Sequence, residues 1–289
     1  MGLRHPQLKQ LKPPANAGGF SLVELAIVLA IVGLLLGSIM YTLSAQVEQR
    51  NFEETRRRLD QARELVLAFA ISNGRLPCPA RSNSAGAEVR IADTDPTPAN
   101  RGKCRDAGGT EDYYGGALGG GVAGGFLPAA TIGYTQIDNA GFAVDAWQNR
   151  IRYAVAINKT CSPAAPVGLP VFTNQLNLKT YGLTCQPNDL LVCKSATGIL
   201  PASCGGVANQ LMSQSLIVAI VFSTGKNGST GGTGLDEAAN LNGAGNVDPI
   251  FVYHTPAPSD AANGEFDDQF TWITVGELYG KLISAGVLP

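Results

Sequence analysis

Histidine and charged side chains are scarce in this chain of 289 residues. It contains two His, and Asp, Glu, Lys and Arg make up 15% of it, against about 25% in an average domain. His5 and His254 supply little for acid–base catalysis or for a histidine-ligated metal centre. The net charge of −2 provides no basic surface, so we do not expect nucleic acid as a partner.

Catalytic sequence motifs are missing as well. The chain contains neither the G-x-S-x-G motif of serine hydrolases nor the H-E-x-x-H motif of zinc peptidases. The glycine-rich run 115–125 lacks the Lys-Ser/Thr ending of a phosphate-binding loop. These absences argue against an enzyme, and we predict no catalytic residue.

Apolar residues and glycine, in contrast, are abundant. The chain is 45% apolar and contains 35 glycines and 17 prolines. That apolar content is enough for a packed core and excludes general disorder. The glycines and prolines indicate that many loops connect the elements of this core.

The longest apolar run lies close to the N-terminus. It contains a single charge, Glu24, and is long enough to span a bilayer as a helix. The tail before it carries Arg4, Lys9 and Lys12 but no acid, which places the tail on the cytoplasmic side. We therefore predict a transmembrane helix at 20–43 and an exported chain after it.

A specific motif stands at the start of this run: Gly18-Gly19-Phe20-Ser21-Leu22-Val23-Glu24-Leu25. It resembles the prepilin cleavage and methylation signature of type IV pilins and type II secretion pseudopilins. The resemblance implies that a prepilin peptidase cuts between Gly19 and Phe20, removes the leader 1–19 and methylates the new amine of Phe20. An ordinary secretory signal is the alternative, but its apolar region has only roughly 7–15 residues and precedes the cleavage site.

Glu24 places a carboxylate inside an apolar segment, which costs about 2.5–3.5 kcal/mol on insertion. The resemblance implies that this residue pairs with the N-terminal amine of Phe20 on a neighbouring subunit and so sets the register of assembly. The alternative is that the carboxylate, which lies near the membrane edge, reaches the lipid headgroups.

The helical pattern continues after the apolar run as an amphipathic segment at 44–74. Asn73-Gly74 is a typical helix end, so we predict one helix from Ser21 to Asn73. We interpret Arg56-Arg57-Arg58 as a solvent-exposed face of this helix.

Residues 75–289 are predicted to form a periplasmic globular head. Thr274 opens a short C-terminal helix with a capping box, and Gly286 ends it. The head is α+β, with an antiparallel sheet packed on the long N-terminal helix and with irregular insertions at 81–125 and 158–206. Its apolar patterns predict strands at 150–157, 215–222, 250–254 and 270–273.

All six cysteines follow the predicted membrane helix, and none forms a C-x-x-C pair, which argues against a zinc site. An even number of cysteines in an oxidising compartment predicts three disulfides, with free structural thiols as the alternative. Six cysteines allow about fifteen connectivities. We predict pairing between neighbours in the sequence: Cys78–Cys104, Cys161–Cys185 and Cys193–Cys204.

Two segments of the head resemble pseudopilins. Residues 145–153, Asp-Ala-Trp-Gln-Asn-Arg-Ile-Arg-Tyr, are similar to the Asp-x-Trp-Gly-Asn-x-x-x-Tyr segment of major pseudopilins, with Gln148 in place of the glycine. Residues 222–237, which begin Phe-Ser-Thr-Gly-Lys-Asn-Gly, resemble the calcium-holding loop of the same proteins.

This second resemblance makes calcium a candidate ligand of the chain. Asp236, Glu237 and Asn240 are the predicted donors of oxygen, the ligand type that Ca²⁺ requires. A glycine-rich surface turn with solvated acids is the alternative. We interpret Asp267-Asp268 as a turn cap rather than as a metal site.

Together these features resemble a minor pilin or pseudopilin, which is a structural subunit. The resemblance implies a place in a type IV pilus or a type II secretion filament, after a stay in the bacterial inner membrane with the head in the periplasm. It implies the prepilin peptidase, other pilin or pseudopilin subunits, the inner-membrane assembly platform and membrane lipid as partners. The alternatives are a membrane-anchored periplasmic binding module that does not polymerise and a disulfide-rich secreted enzyme.

Overall fold

The computed structural model describes most of the chain after residue 20. Gly18, Gly19 and Phe20, the predicted processing site, lie outside the described residues. Side chains are not described at 38–43, 117, 119, 160 and 161. The described ranges are 21–105, 109–119, 122–157, 160–161, 170–230, 232, 234–241 and 249–288.

The described residues form α-helices and short β-strands in mixed order. The helices are α1 (Leu22–Asn73), α2 (Ala129–Ile132), α3 (Gln175–Tyr181), α4 (Leu235–Asn240) and α5 (Val275–Ser284). The strands are β1 (Gly116–Gly119), β2 (Val122–Gly124), β3 (Arg152–Val155), β4 (Thr160–Cys161), β5 (Cys185–Gln186), β6 (Leu191–Cys193), β7 (Gln210–Met212), β8 (Ile217–Ser223), β9 (Ile250–Val252) and β10 (Gln269–Thr274).

The chain divides into two compact units between Arg50 and Asn51. The described part of the first unit is helical, and its apolar side chains from Leu22 to Leu36 are exposed. Within the described residues, no helix is both long and apolar enough to cross a membrane. The predicted span 20–43 includes Phe20 and the side chains of 38–43, which are outside that description.

Helix α1 confirms the predicted long helix and its end. It begins at Leu22, one residue after the predicted start, and ends at Asn73, as predicted. Gly74 then takes a φ of +64°, the left-handed conformation that glycine adopts without strain. The backbone N–H of Gly74 still donates to the carbonyl of Ala70 at 2.8 Å, which closes the last turn.

The second unit is built around the antiparallel sheet β10–β8–β3. All seven residues of β8 are buried, as the continuous apolar run Ile217–Phe222 predicts for a central strand. In the same core, α1 contributes Leu59, Val66 and Ala70. The predicted α+β arrangement, an antiparallel sheet packed on the long helix, is therefore confirmed.

A second three-stranded sheet, β7–β6–β9, was not predicted. Its central strand β6 lies in the segment 158–206 that we expected to be irregular, and β6 runs parallel to β9. The signal was weak because β6 has only three residues. Its parallel partner follows more than fifty residues later, after β7, β8 and α4.

Disulfides close the loops around both sheets. Cys78–Cys104 and Cys193–Cys204 are bonded, as predicted. Cys185 is disulfide-bonded as well, and the β4–β5 ladder pairs its backbone with that of Cys161. The side chain of Cys161 is not among those described, so the third pair stays a prediction.

Candidate functional site

The first turn of α1 is closed by a capping box that we did not predict. The backbone N–H of Ser21 donates to Glu24 Oε2 at 2.9 Å, and the backbone N–H of Glu24 donates to Ser21 Oγ at 3.2 Å. This reciprocal pair satisfies two donors that a helix start leaves open. The Ser-x-x-Glu spacing was the signal that could have revealed it.

The segment that resembles the Asp-x-Trp motif folds around a buried carboxylate. Asp145 Oδ1 accepts the backbone N–H groups of Trp147 at 2.9 Å and Asn149 at 2.8 Å. Burial raises the pKa of Asp145, although its hydrogen bonds oppose that shift. Gln148, which stands in place of the family's glycine, has a φ of +69°, in the left-handed region that favours glycine.

Helix α1 holds this loop through side chains. Thr55 Oγ1 accepts the backbone N–H of Ala146 at 3.1 Å. Arg58 Nη1 donates to the carbonyl oxygens of Val144 at 3.1 Å and Asp145 at 2.7 Å. The interpretation of Arg56-Arg57-Arg58 as a solvent-exposed face is therefore wrong for Arg58, since the sequence does not show which face of α1 the loop covers.

The two segments that resemble pseudopilins contact each other directly. Ser223 Oγ donates to Asp145 Oδ2 at 2.5 Å, and Asn149 Nδ2 donates to the carbonyl oxygen of Gly225 at 2.6 Å. The turn after β8 is thus oriented by the loop before β3. At Gly225, an added Cβ would lie 1.7 Å from Asp267 Oδ1, so only glycine fits beside that carboxylate.

Three buried carboxylates meet next to this turn. One oxygen from each of Glu237, Asp267 and Asp268 lies within 4.8 Å of the others. Asp267 is 5% exposed, and its Oδ1 has no hydrogen-bond partner among the described residues, while Oδ2 accepts the backbone N–H of Lys226 at 3.0 Å. Asn227 Nδ2 donates to Glu237 Oε2 at 2.9 Å.

The pKa values of Asp267 and Asp268 show that ionising these buried, neighbouring carboxyl groups is unfavourable. Burial, followed by the charge of Glu237, raises the pKa of Asp267 to about 7. Burial raises the pKa of Asp268 well above its usual range, against the hydrogen bond from Asn240. A cation at the cluster would remove this penalty, because an opposite charge favours the ionised form. The all-oxygen donor set fits a hard cation such as Ca²⁺.

The predicted calcium ligands are only partly brought together. Glu237 belongs to the cluster, but Asn240 uses its Oδ1 to accept the backbone N–H of Val252 at 2.7 Å. Asp236 faces elsewhere: its Oδ1 accepts the N–H of Ala196 at 2.6 Å, and its Oδ2 lies 3.1 Å from His254 Nε2. Asp267 and Asp268, which we interpreted from the sequence as a turn cap rather than as a metal site, belong to the cluster with Glu237, about thirty residues before them in the chain.

A second buried carboxylate, Asp112, organises the glycine-rich segment. Its Oδ1 and Oδ2 accept the backbone N–H groups of Gly115 and Gly125, each at 3.1 Å. Burial raises the pKa of Asp112 to about 6, although these hydrogen bonds and the charges of Arg81 and Arg152 oppose the shift. The arrangement joins the two ends of the β1–β2 hairpin.

The comparisons with known proteins concern the N-terminal segment. Residues 14–40 match the family model described as the prokaryotic N-terminal methylation motif. The chain therefore carries a prepilin-type N-terminal processing signature, which is similar to that of type IV pilins and pseudopilins. The motif implies processing by a prepilin peptidase and pilin-type subunits as partners. No curated protein and no solved structure matches the chain.

Proposed function

We propose that this chain is a minor pilin or pseudopilin of a type IV pilus or a type II secretion filament. The match of residues 14–40 to the methylation motif carries the proposal. The capping box of Ser21 and Glu24 supports it, because it starts the helix directly after the cleavage position. An α+β unit packed on the second part of α1 is the arrangement expected of a pilin head.

In this proposal the residues 1–19 are a cytoplasmic leader, and Phe20 is the methylated N-terminus of the mature protein. The segment 20–43 anchors the chain in the inner membrane, among lipid, until the assembly platform draws it into a filament. The head then lies in the periplasm. The role is structural rather than catalytic, and the disulfides of the head suit an oxidising compartment.

Processing can be tested at the cleavage position. Gly19→Ala should leave an uncut precursor in the membrane, whereas Gly18→Ala, the matched control, should be cut. N-terminal sequencing of the mature wild-type protein should begin at N-methyl-Phe20. A mature protein that begins at Met1 or near Ala45 would contradict the proposal and favour an anchored or a secreted protein.

The anchored binding module is the alternative function. It shares the membrane segment but does not polymerise, so processing alone does not separate the two. Filaments sheared from cells that express the chain should contain the mature protein. If all of the processed protein stays with the membrane fraction, the binding module replaces the filament subunit.

We further propose that the head holds one Ca²⁺ at Glu237, Asp267 and Asp268. The unpartnered Oδ1 of Asp267 and the closeness of the three carboxylates support this assignment. Asn227 is the candidate for a fourth oxygen, since its Nδ2 donates to Glu237 and its Oδ1 is buried without a hydrogen-bond partner among the described residues. Bound calcium would offset two of the three negative charges of the cluster and tie the turn after β8 to the start of β10.

Calcium binding is measurable as a thermal shift. A ligand at about 100 times its Kd stabilises the folded state by about 2.7 kcal/mol. Calcium should therefore raise the Tm of the EGTA-treated full chain, and Asp267→Asn should abolish the rise. Asp260→Asn, an exposed control, should keep it. An equal rise in wild type and in Asp267→Asn would place calcium elsewhere.

A further inference from the structure

Strand β10 forms an open edge of the central sheet. On the side of β8 that faces β3, the carbonyl of Val218 accepts the N–H of Ala156, the residue that follows β3. Because successive residues of a central strand bond to opposite neighbours, Ala219 and Val221 face β10. Their partners are Ile273 and Thr271.

The alternate residues of β10, Phe270 and Trp272, therefore point their backbone groups away from the sheet. Arg63 Nε confirms this direction, because it donates to the carbonyl of Trp272 at 3.0 Å. Among the described residues, no backbone carbonyl accepts the N–H of Phe270. The carbonyl of Trp272 is therefore occupied, and the free part of the edge is at Phe270. A strand edge with a free backbone group is the template that an added strand requires.

A cavity of about 370 Å³ lies beside this free edge, within the range of roughly 300–1,000 Å³ that ligand sites occupy. Helix α1 forms one wall with Phe52, Arg56 and Asp60. Phe270 and Tyr253, whose ring centroids are 5.6 Å apart, line the cavity as well. The two rings form an apolar patch on the sheet side, next to polar groups that include His254 and Asp268, and the helix side is charged.

Three charged side chains of α1 line the cavity, Glu53, Arg56 and Asp60, and the last two have no partner among the described residues. Arg56 and Asp60 are exposed, and no described residue forms an ion pair or hydrogen bond with either of them. They are one helical turn apart, about 6 Å along the axis. Side chains at i and i+2 of an extended chain are separated by about 6.6–6.8 Å, so a strand can present two charges at the same spacing.

We propose that this groove binds an extended segment of another polypeptide that adds a strand to the free edge of β10. The segment carries an acidic and a basic residue two positions apart, which pair with Arg56 and Asp60. Apolar residues next to them contact Phe52, Tyr253 and Phe270. The proposal goes beyond the function proposed above, because it holds whether or not the chain polymerises.

The probe is the labelled peptide Thr-Val-Glu-Val-Lys-Val-Thr, titrated with the mature full chain in detergent and followed by fluorescence anisotropy. Methylation of the central backbone amides should weaken binding about five- to tenfold, since strand addition uses those hydrogen bonds. Two further peptides replace the central Glu-Val-Lys of the probe by Lys-Val-Lys or by Glu-Val-Glu. Arg56→Glu should shift the preference to the Lys-Val-Lys peptide, and Asp60→Lys should shift it to the Glu-Val-Glu peptide, each by about tenfold.

Controls separate this groove from unspecific charge attraction. Arg57→Glu changes the neighbouring, exposed arginine, which pairs with Glu54 outside the cavity, and should leave all affinities unchanged. Unaltered binding of the N-methylated peptide would overturn strand addition. If the substitutions at Arg56 and Asp60 do not change which peptide binds best, the groove is not the binding site. If the full chain associates with itself and Arg56→Glu abolishes this association, the partner is a second copy of the chain rather than another polypeptide.

Discussion

Ser223 at the end of β8 donates its hydroxyl hydrogen to Asp145 Oδ2 at 2.5 Å, across 78 residues of sequence. Both residues are buried, and the remaining oxygen of Asp145 holds the turn at Trp147 and Asn149. One hydroxyl thus joins the two loops that resemble pseudopilins. The loop at 145–149 and the turn that carries Gly225 are therefore expected to lose order together.

Ser223→Ala tests this link. The substitution leaves Asp145 Oδ2 buried without its donor, so we expect a loss of about 1–3 kcal/mol in the free energy of unfolding. Ser284→Ala removes an exposed hydroxyl that bonds to Gly280, and should change stability by less than about 0.5 kcal/mol. Urea unfolding of both variants gives the comparison, and similar values would show that the Asp145 bond is not needed.

Gln148→Gly should stabilise the protein. A non-glycine residue in the left-handed region costs about 1–2 kcal/mol, and Gln148 occupies it with a φ of +69°. Part of the gain is lost to the greater backbone entropy of glycine in the unfolded chain, so we expect about 0.5–1 kcal/mol. Gln214→Gly, in a turn without a positive φ, should be destabilising instead. A Tm that falls for both variants would contradict the strain at Gln148.

The buried Asp112 predicts a specific pH dependence. Its folded pKa of about 6 is above the unfolded value of 3.8, so the folded state binds more protons between these values. Stability contributed by this group therefore falls as pH rises from about 4 to 6, by about 3 kcal/mol in total. The wild type should gain stability relative to Asp112→Asn on acidification through this window. A difference between the two that is constant with pH would contradict the burial of an ionisable Asp112.

Substitutions at Ser21 and Glu24 distinguish the role of the capping box at the start of α1 from the role of the carboxylate charge of Glu24. Glutamine can serve in a capping box, so Glu24→Gln keeps the contact to the backbone N–H of Ser21 while it removes the carboxylate charge. We expect Glu24→Gln to be inserted and cleaved but depleted in filaments, because the charge that would pair with the Phe20 amine is gone. Ser21→Ala removes the hydroxyl half of the capping box and keeps the charge.

The two variants predict different outcomes in immunoblots of membrane and filament fractions. If capping matters most, Ser21→Ala is the more depleted of the two. If the pair between the Glu24 carboxylate and the Phe20 amine matters most, Glu24→Gln is the more depleted. Normal filament content of Glu24→Gln, in cells without the wild-type copy, would support a carboxylate that only reaches the headgroups.

The third disulfide gives a further test. Cys185 is bonded, and the backbone pairing of Cys161 with Cys185 makes Cys161 the expected partner. Mass spectrometry of a non-reduced digest should recover the peptides of these two residues as one linked species. Recovery of Cys185 linked to any other cysteine would contradict pairing between neighbours.

Local chemistry made much of the fold predictable. The end of α1 followed from Asn73-Gly74, and the α5 cap followed from Thr274, whose side chain accepts the N–H of Glu277. Strand β8 followed from its continuous apolar run, since a strand buried on both faces needs no alternation. The sheet that contains β6 did not follow, because a three-residue strand has too short a pattern and its partner is distant in the sequence.

The sequence alone determined the processing motif, the long helix and the central strand, because each depends on residues close together in the chain. Tertiary structure decided which acids meet. Asp236 and Glu237 are adjacent, yet one faces His254 and the other faces Asp267. Consecutive residues of a helix point about 100° apart, so their environments depend on what packs around α4, and that is set by contacts from distant segments.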